Sequence, residues 1–220
     1  RIRRAAHLSM IKAYICHSFM PIFKEHTFNI GPSFQFSTEF EKNFKRGRRK
    51  YNSRKLLNMK VSDVDWKNWE PEELSTIMFV VEESRVLLIH KKRGLGAGKI
   101  NGPGGKIEKG ETPMQCAVRE TNEELHINPF NIRAAGELFF HAEDMPKIHG
   151  FVFVASGFEG TPTETDEAIP EWFEIDNLPF SRMWDDDRLW LSEILSGQSV
   201  KGWFTFEEEK LLDYSVEFCN

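Results

Sequence analysis

From Gly105 the chain runs five residues to Glu111, seven more to Arg119-Glu120, and then, after two residues, to Glu123-Glu124. No other stretch limits the possible folds so strongly. Thr112 to Leu125 reads as one helix, with Thr112 as N-cap, Pro113 in the first helical position and Gln115 completing a capping box. At about 100° per residue, Glu120, Glu123 and Glu124 share roughly a third of the helix circumference. Met114, Ala117, Val118, Thr121 and Leu125 group on a neighbouring face that suits a core. Carboxylates spaced i, i+3 and i+4 repel one another, so the helix gains nothing intrinsic from them. Three glutamates alone describe a solvated acidic face. They make physical sense as a site if divalent cations sit between them, and hard oxygen ligands suit Mg²⁺ or Mn²⁺ bridging to substrate phosphates.

This 20-residue constellation resembles the signature of the Nudix hydrolases, which cleave nucleoside diphosphates linked to another group. It departs from the signature at Thr121, where an aliphatic residue is usual, and at His126, where glycine is usual. The Thr121 hydroxyl can bond back to the carbonyl of Ala117. Histidine tolerates the left-handed conformation better than most residues, and Asn128-Pro129 stops the helix in any case.

Two hundred and twenty residues allow one domain and an appendage, and 40% hydrophobic with 13% aromatic residues supports a substantial core. No apolar run approaches membrane-spanning length. Cys16, Cys116 and Cys219 are odd in number and widely spaced, which fits a reducing compartment rather than a disulfide framework. Charge divides the chain: residues 1–58 hold 13 Lys/Arg against 3 Asp/Glu, and residues 59–220 hold 16 against 31. The acidic body, at −15, argues against broad binding of nucleic-acid polymers. The basic extension reads in three ways: a disordered arm, a targeting segment, or sequence upstream of a start at Met59. A poorly structured extension dispensable for catalysis is expected, followed by a catalytic domain over residues 59–220. A cytoplasmic monomer is expected, with a mitochondrial location as the alternative if residues 1–58 are a presequence.

Thr76 to Val81 and Val86 to His90 form a predicted hairpin, followed by the basic Lys91-Lys92-Arg93 and a glycine-rich loop. Lys99 to Asn101 is a short strand leading into Gly102-Pro103-Gly104-Gly105. Ile132 to His141, Ile148 to Gly157 and Glu171 to Ile175 are strands, Arg188 to Leu195 a short helix, and Val200 to Phe206 with Leu211 to Phe218 an antiparallel pair. The pattern is α/β, a mixed sheet between helices, similar to the Nudix α/β/α sandwich.

A second layer of residues narrows the resemblance. Lys91-Lys92-Arg93-Gly94, Asn101-Gly102, Gly104-Gly105-Lys106, Gly160-Thr161-Pro162, Asp166-Glu167, Met183-Trp184, Asp186-Asp187 and Gly202-Trp203-Phe204 are similar to the oxidised-purine nucleoside triphosphatase branch of that family. The resemblance implies that Glu120, Glu124 and Glu167, with the carbonyl of Gly104, hold the metals, and that Glu123 assists in ligation or proton removal. It implies that Lys91 reaches the phosphates and that Asn101, Trp184, Asp186 and Asp187 form a base pocket with Phe140 nearby. Physical chemistry supports these roles. Arg119 keeps its charge and can orient a neighbouring carboxylate, Trp184 offers a face to a purine, and Asn101 offers both donor and acceptor. Asp186 and Asp187 in a pocket should titrate as a pair with one pKa raised, so that one donates and the other accepts. Alone, the acids would simply precede a helix. Leu95, Ile100 and Pro103 replace aromatic residues of the relatives, and Asp185 adds a charge. The expected activity is hydrolysis of oxidised purine nucleoside triphosphates to monophosphate and pyrophosphate. The rivals are a Nudix hydrolase for another nucleotide (a methylated purine nucleotide, ADP-ribose or capped RNA) and a non-catalytic nucleotide sensor.

Overall fold

The structure is a computed structural model that describes residues 59–219. The expectations for residues 1–58 lie outside the described residues. Strands β1 (Glu73–Glu82) and β2 (Arg85–Lys91) form the expected hairpin over the two-residue turn Glu83-Ser84. Then come β3 (Ile100–Asn101), helix α1 (Pro113–Leu125), β4 (Ile127–Ala142), β5 (Ile148–Gly160), β6 (Ala168–Glu174), helix α2 (Leu191–Leu195), β7 (Ser199–Glu207) and β8 (Lys210–Cys219). All eight strands join one mixed sheet. β1 lies parallel to β5 and β4 parallel to β7, whereas β4–β5 and β7–β8 are antiparallel. β2 pairs with β6 along its length, and its other edge is shared between β1 at Arg85–Leu87 and β3 at Ile89 and His90.

Alternation along the strands gives the sheet two apolar faces. Met78, Val80, Leu87, Ile89, Phe153 and Ala155 pack with Ala117 and Leu125 of α1. Phe79, Val86, Leu88, Val152 and Val154 point the other way, packing with Trp190, Leu191 and Ile194 at α2. A period of two in each strand sends successive side chains into different cores, so a helix is needed on each face.

Three expectations need correction. β4 starts at Ile127 rather than Ile132, directly after α1. Pro129 is accommodated because β7 pairs only with Gly136–Ala142, leaving the N-terminal part of β4 with β5 as its one strand neighbour among the described residues. The expected helix from Arg188 to Leu195 is a 3₁₀ turn over Asp187–Leu189 followed by the five-residue α2, separated by Trp190 at φ −144°. On α1, Met114 is exposed and Cys116 buried. Cys116 sits under the incoming loop, where the Thr76 hydroxyl donates to its sulfur and the sulfur lies 3.4 Å from the Lys106 carbonyl oxygen.

Candidate active site

Helix α1 starts where its residues dictate. The Gln115 amide donates to Thr112 Oγ1 at 3.3 Å and the Thr112 amide donates to Gln115 Oε1 at 2.9 Å, closing the capping box ahead of Pro113. At its far end His126 takes the left-handed conformation, φ 59° and ψ 33°, where the signature has glycine. The Thr121 hydroxyl donates to the Ala117 carbonyl at 2.7 Å.

One arginine organises the acidic face. Arg119 donates from Nε and Nη2 to the two oxygens of Glu111, at 2.9 and 3.0 Å, and from Nη1 to Glu120 at 2.7 Å and Glu123 at 3.1 Å. This pairing holds the Glu111 carboxyl down at about 2. Glu111 is the fixed first acid of the spacing, and here it is a fork partner that fixes where Arg119 stands. Burial instead raises Glu120, with repulsion from Glu124 and Glu123 adding to it and Arg119 opposing. Glu124, 1% exposed, accepts from the Gly104 amide at 2.9 Å and from Lys91 Nζ at 3.0 Å. Glu167 pairs with Arg93, which lowers its pKa, and Lys92 pairs with Glu164.

The loop that meets these acids needs glycine for closeness. A Cβ on Gly104 would lie 2.1 Å from the Thr76 carbonyl oxygen, and one on Gly105 would lie 2.5 Å from the Glu120 carboxylate. The loop can therefore run along β1, where Thr76 donates to the Gly105 carbonyl and Met78 to that of Pro103, both at 2.9 Å. Among the described residues no three His, Cys, Asp or Glu side chains converge tightly enough to hold an ion as they stand. The expected ligands are instead spoken for: Arg119 takes Glu120 and Glu123, Lys91 takes Glu124, and Arg93 takes Glu167. The donor set of carboxylates, with a glycine cradle where Glu120 enters, fits a hard divalent cation.

On the opposite face of the sheet lies a cavity of about 160 Å³. Asn101, Phe140, Trp184, Asp186 and Asp187, all expected in a base pocket, line it together with Leu138 and Met145. That volume is small beside the roughly 300–1,000 Å³ of sites that engulf a drug-sized ligand, so it suits one ring system. Asp186 and Asp187 are each 2% exposed. Asp186 accepts from Trp190 Nε1, and Asp187 from the Trp184 amide, both at 3.0 Å. Burial pushes Asp186 up to about 6; Asp187 is raised well above its usual value by burial and by the charge of Asp186. Asp185 is exposed, outside the pair. Leu95 lines the cavity while half exposed, but Ile100 is fully buried in the core, so its replacement of an aromatic residue affects packing rather than the wall. Trp190 was not legible as part of the site, although its position four residues after Asp186 is a helical contact spacing.

Residues 71–194, more than half of the chain, match the NUDIX domain. The chain belongs to the Nudix family. It is 43% identical over 138 residues to an oxidized purine nucleoside triphosphate hydrolase of Danio rerio, covering 61% of this chain and 87% of the relative. It is 38% identical over 145 residues to the protein of that name from Mus musculus, covering 65% and 93%. A crystal structure of a MutT protein from Bacillus halodurans superposes with a TM-score of 0.58 at 27% identity, covering 66% of this chain and 97% of that one. The mixed sheet with its two helices is thus a Nudix fold and the chain a Nudix hydrolase, a family that generally uses divalent metal ions.

Proposed function

We propose that this Nudix hydrolase converts oxidised purine nucleoside triphosphates, such as 8-oxo-dGTP and 2-hydroxy-dATP, to monophosphate and pyrophosphate. Mg²⁺ is the proposed cofactor, with Mn²⁺ able to substitute. The observation that carries the reading is the buried Asp186–Asp187 pair beside Trp184, in a cavity that shares Asn101 with the segment leading to the acidic helix. The names of the Danio rerio and Mus musculus relatives support the same substrate class.

An 8-oxo purine carries N7–H, a donor where guanine has an acceptor. A carboxylate of the pair accepts from it, while the protonated partner donates to another edge atom and Asn101 supplies both kinds of contact. Trp184 stacks on the ring, and Phe140 packs beside it. The phosphates then lead past Asn101 toward the Gly104-Gly105 turn, where Lys91 reaches them. Glu120, Glu123, Glu124 and Glu167, with the Gly104 carbonyl, would hold the metal, which supplies charge neutralisation and an acidified water at neutral pH. Arg119 keeps Glu120 aimed, and Glu123, the most exposed of the three glutamates on α1, takes the proton as water attacks an inner phosphorus. The leaving pyrophosphate carries the charge that Lys91 offsets.

The test is pyrophosphate release in Mg²⁺ from dGTP, 8-oxo-dGTP, 2-hydroxy-dATP and ADP-ribose. An oxidised purine should be strongly preferred, and Glu120→Gln should cut turnover by at least about 100-fold. Turnover of ADP-ribose alone would keep the metal helix and sink the pocket assignment. Tight nucleotide binding with no release would mark a sensor.

A further inference from the structure

Lys99 does not line the cavity, yet it touches what the cavity depends on. Its Nζ lies 4.9 Å from the centre of the Trp184 ring and 3.2 Å from Glu209 Oε2, in the turn between β7 and β8. Its backbone is fixed as well: the Lys99 amide donates to the Gly96 carbonyl at 2.9 Å, and its own carbonyl accepts from the Lys91 amide at 3.0 Å. Gly96, at φ +78°, presses on the same indole, since a Cβ there would lie 3.1 Å from Trp184 Nε1. Phe206 meets the ring edge-on, 6.2 Å between centres at 86°. Trp184 is thus held by the glycine-rich loop, by an aromatic edge from β7 and by a cation. An ion pair as exposed as Lys99–Glu209, with Glu209 at 61%, adds little stability, so its effect lies in where it puts the ammonium.

That place matters electrically. Among the described residues, Asp186 and Asp187 are the only ionisable side chains in the cavity lining. Asp186 and Asp185 oppose ionisation of the pair, and Lys99 is the cation whose field favours the charged form of Asp187. Lys91, Lys92 and Arg93 are committed to Glu124, Glu164 and Glu167.

We propose that Lys99 is a positioning residue for base selection, clasped by Glu209 so that it pins the Trp184 ring and sets a positive charge behind the Asp186–Asp187 pair. The proposal rests on the base-pocket reading given above and deepens it. It makes purine discrimination depend on a residue that never touches the purine. Cation–π contact keeps the indole from swinging over the cavity mouth, and the charge helps the pair keep one carboxylate as an acceptor.

The test compares Lys99→Met, which keeps the stem without the charge, with Lys99→Arg and Glu209→Gln in the full chain. The ratio of kcat/KM for 8-oxo-dGTP over dGTP should fall by about tenfold in Lys99→Met, with the loss in KM rather than kcat, because the acidic helix is untouched. The acid limb of its kcat/KM profile should move to higher pH by about half a unit or more, since removing a nearby cation raises a carboxyl pKa. Lys99→Arg should retain both properties. Glu209→Gln should lose part of the selectivity with a smaller upward move of the acid limb than Lys99→Met, because the ammonium is kept but no longer held in place. A folded Lys99→Met with wild-type selectivity and acid limb would overturn the proposal. Should Lys99→Met fail to fold, a Glu209→Gln variant with wild-type selectivity overturns it instead. Asp187→Asn separates the two readings: if it abolishes selectivity while Lys99→Met does not, only the role of Lys99 fails. If Asp187→Asn also leaves selectivity intact, both fail.

Discussion

Asp186 combines burial with a single side-chain donor among the described residues, the indole of Trp190 at 3.0 Å, and its carboxyl is pushed up to about 6. A folded acid pKa above the unfolded one means that the native state binds the extra proton. Stability is then lost as pH rises from about 3.8 through about 6. Asp186→Asn removes that slope while keeping an oxygen for Trp190. It should be more stable than the parent at pH 8 by on the order of 1–3 kcal/mol and no more stable at pH 4. Urea unfolding at the two pH values checks this, and an equal difference at both would show that the carboxyl is not strained by burial. The adjacency of Asp186, Asp187 and Trp184 is plain in the sequence. Their burial is not, because it comes from Leu138, Met145 and Trp190, residues distant in the chain or generic in type. Lys91 is a similar case: its charge can be read, but its partner Glu124 follows from how β2 faces α1.

At the level of the element, α1 was the most legible part of the chain, because caps and periodicity are local. Its ends fall where Thr112, Pro113 and His126 put them. Its burial stripe is less legible, since the Gly104–Lys106 segment docks over Cys116 and Glu124 and leaves Met114 outside. Arg119 fastens the helix to that segment by donating from Nη2 to the Lys106 carbonyl at 3.3 Å, and its fork with Glu111 holds it there. Glu111 is depressed from 4.5 to about 2, so its contribution is fully present above pH 4.5 and is lost as pH falls through 2. Glu111→Gln should therefore be destabilised relative to the parent at pH 7, with the gap closing toward pH 2. Parallel guanidinium melts across that range measure it. The variant should also lose activity, because Arg119 would no longer be held beside Glu120. A gap that does not shrink in acid would place the stabilisation somewhere other than this pair.

Across the described residues as a whole the sheet is a partition, with the acidic helix on one side and the cavity on the other, and the segment from Ile100 to Lys106 joins the two. The alternation of the strands predicts two covered faces, but which loop links them depends on register. Gly104 and Gly105 mark that joint, and they should fail differently. Gly104→Ala drives a methyl into the backbone of β1, with no side chain able to yield, and should cost more than about 2 kcal/mol in thermal or urea unfolding. Gly105→Ala meets the flexible end of Glu120, so the protein should stay folded and lose turnover. If the two variants are equally stable, the loop does not lie against β1 as described. The partition also bears on how such a protein changes over generations. Substitutions that reshape the cavity share almost no packing with the helix behind the sheet, so recognition can drift among modified bases while the reaction stays fixed. A lineage built this way can alter its diet without relearning its chemistry.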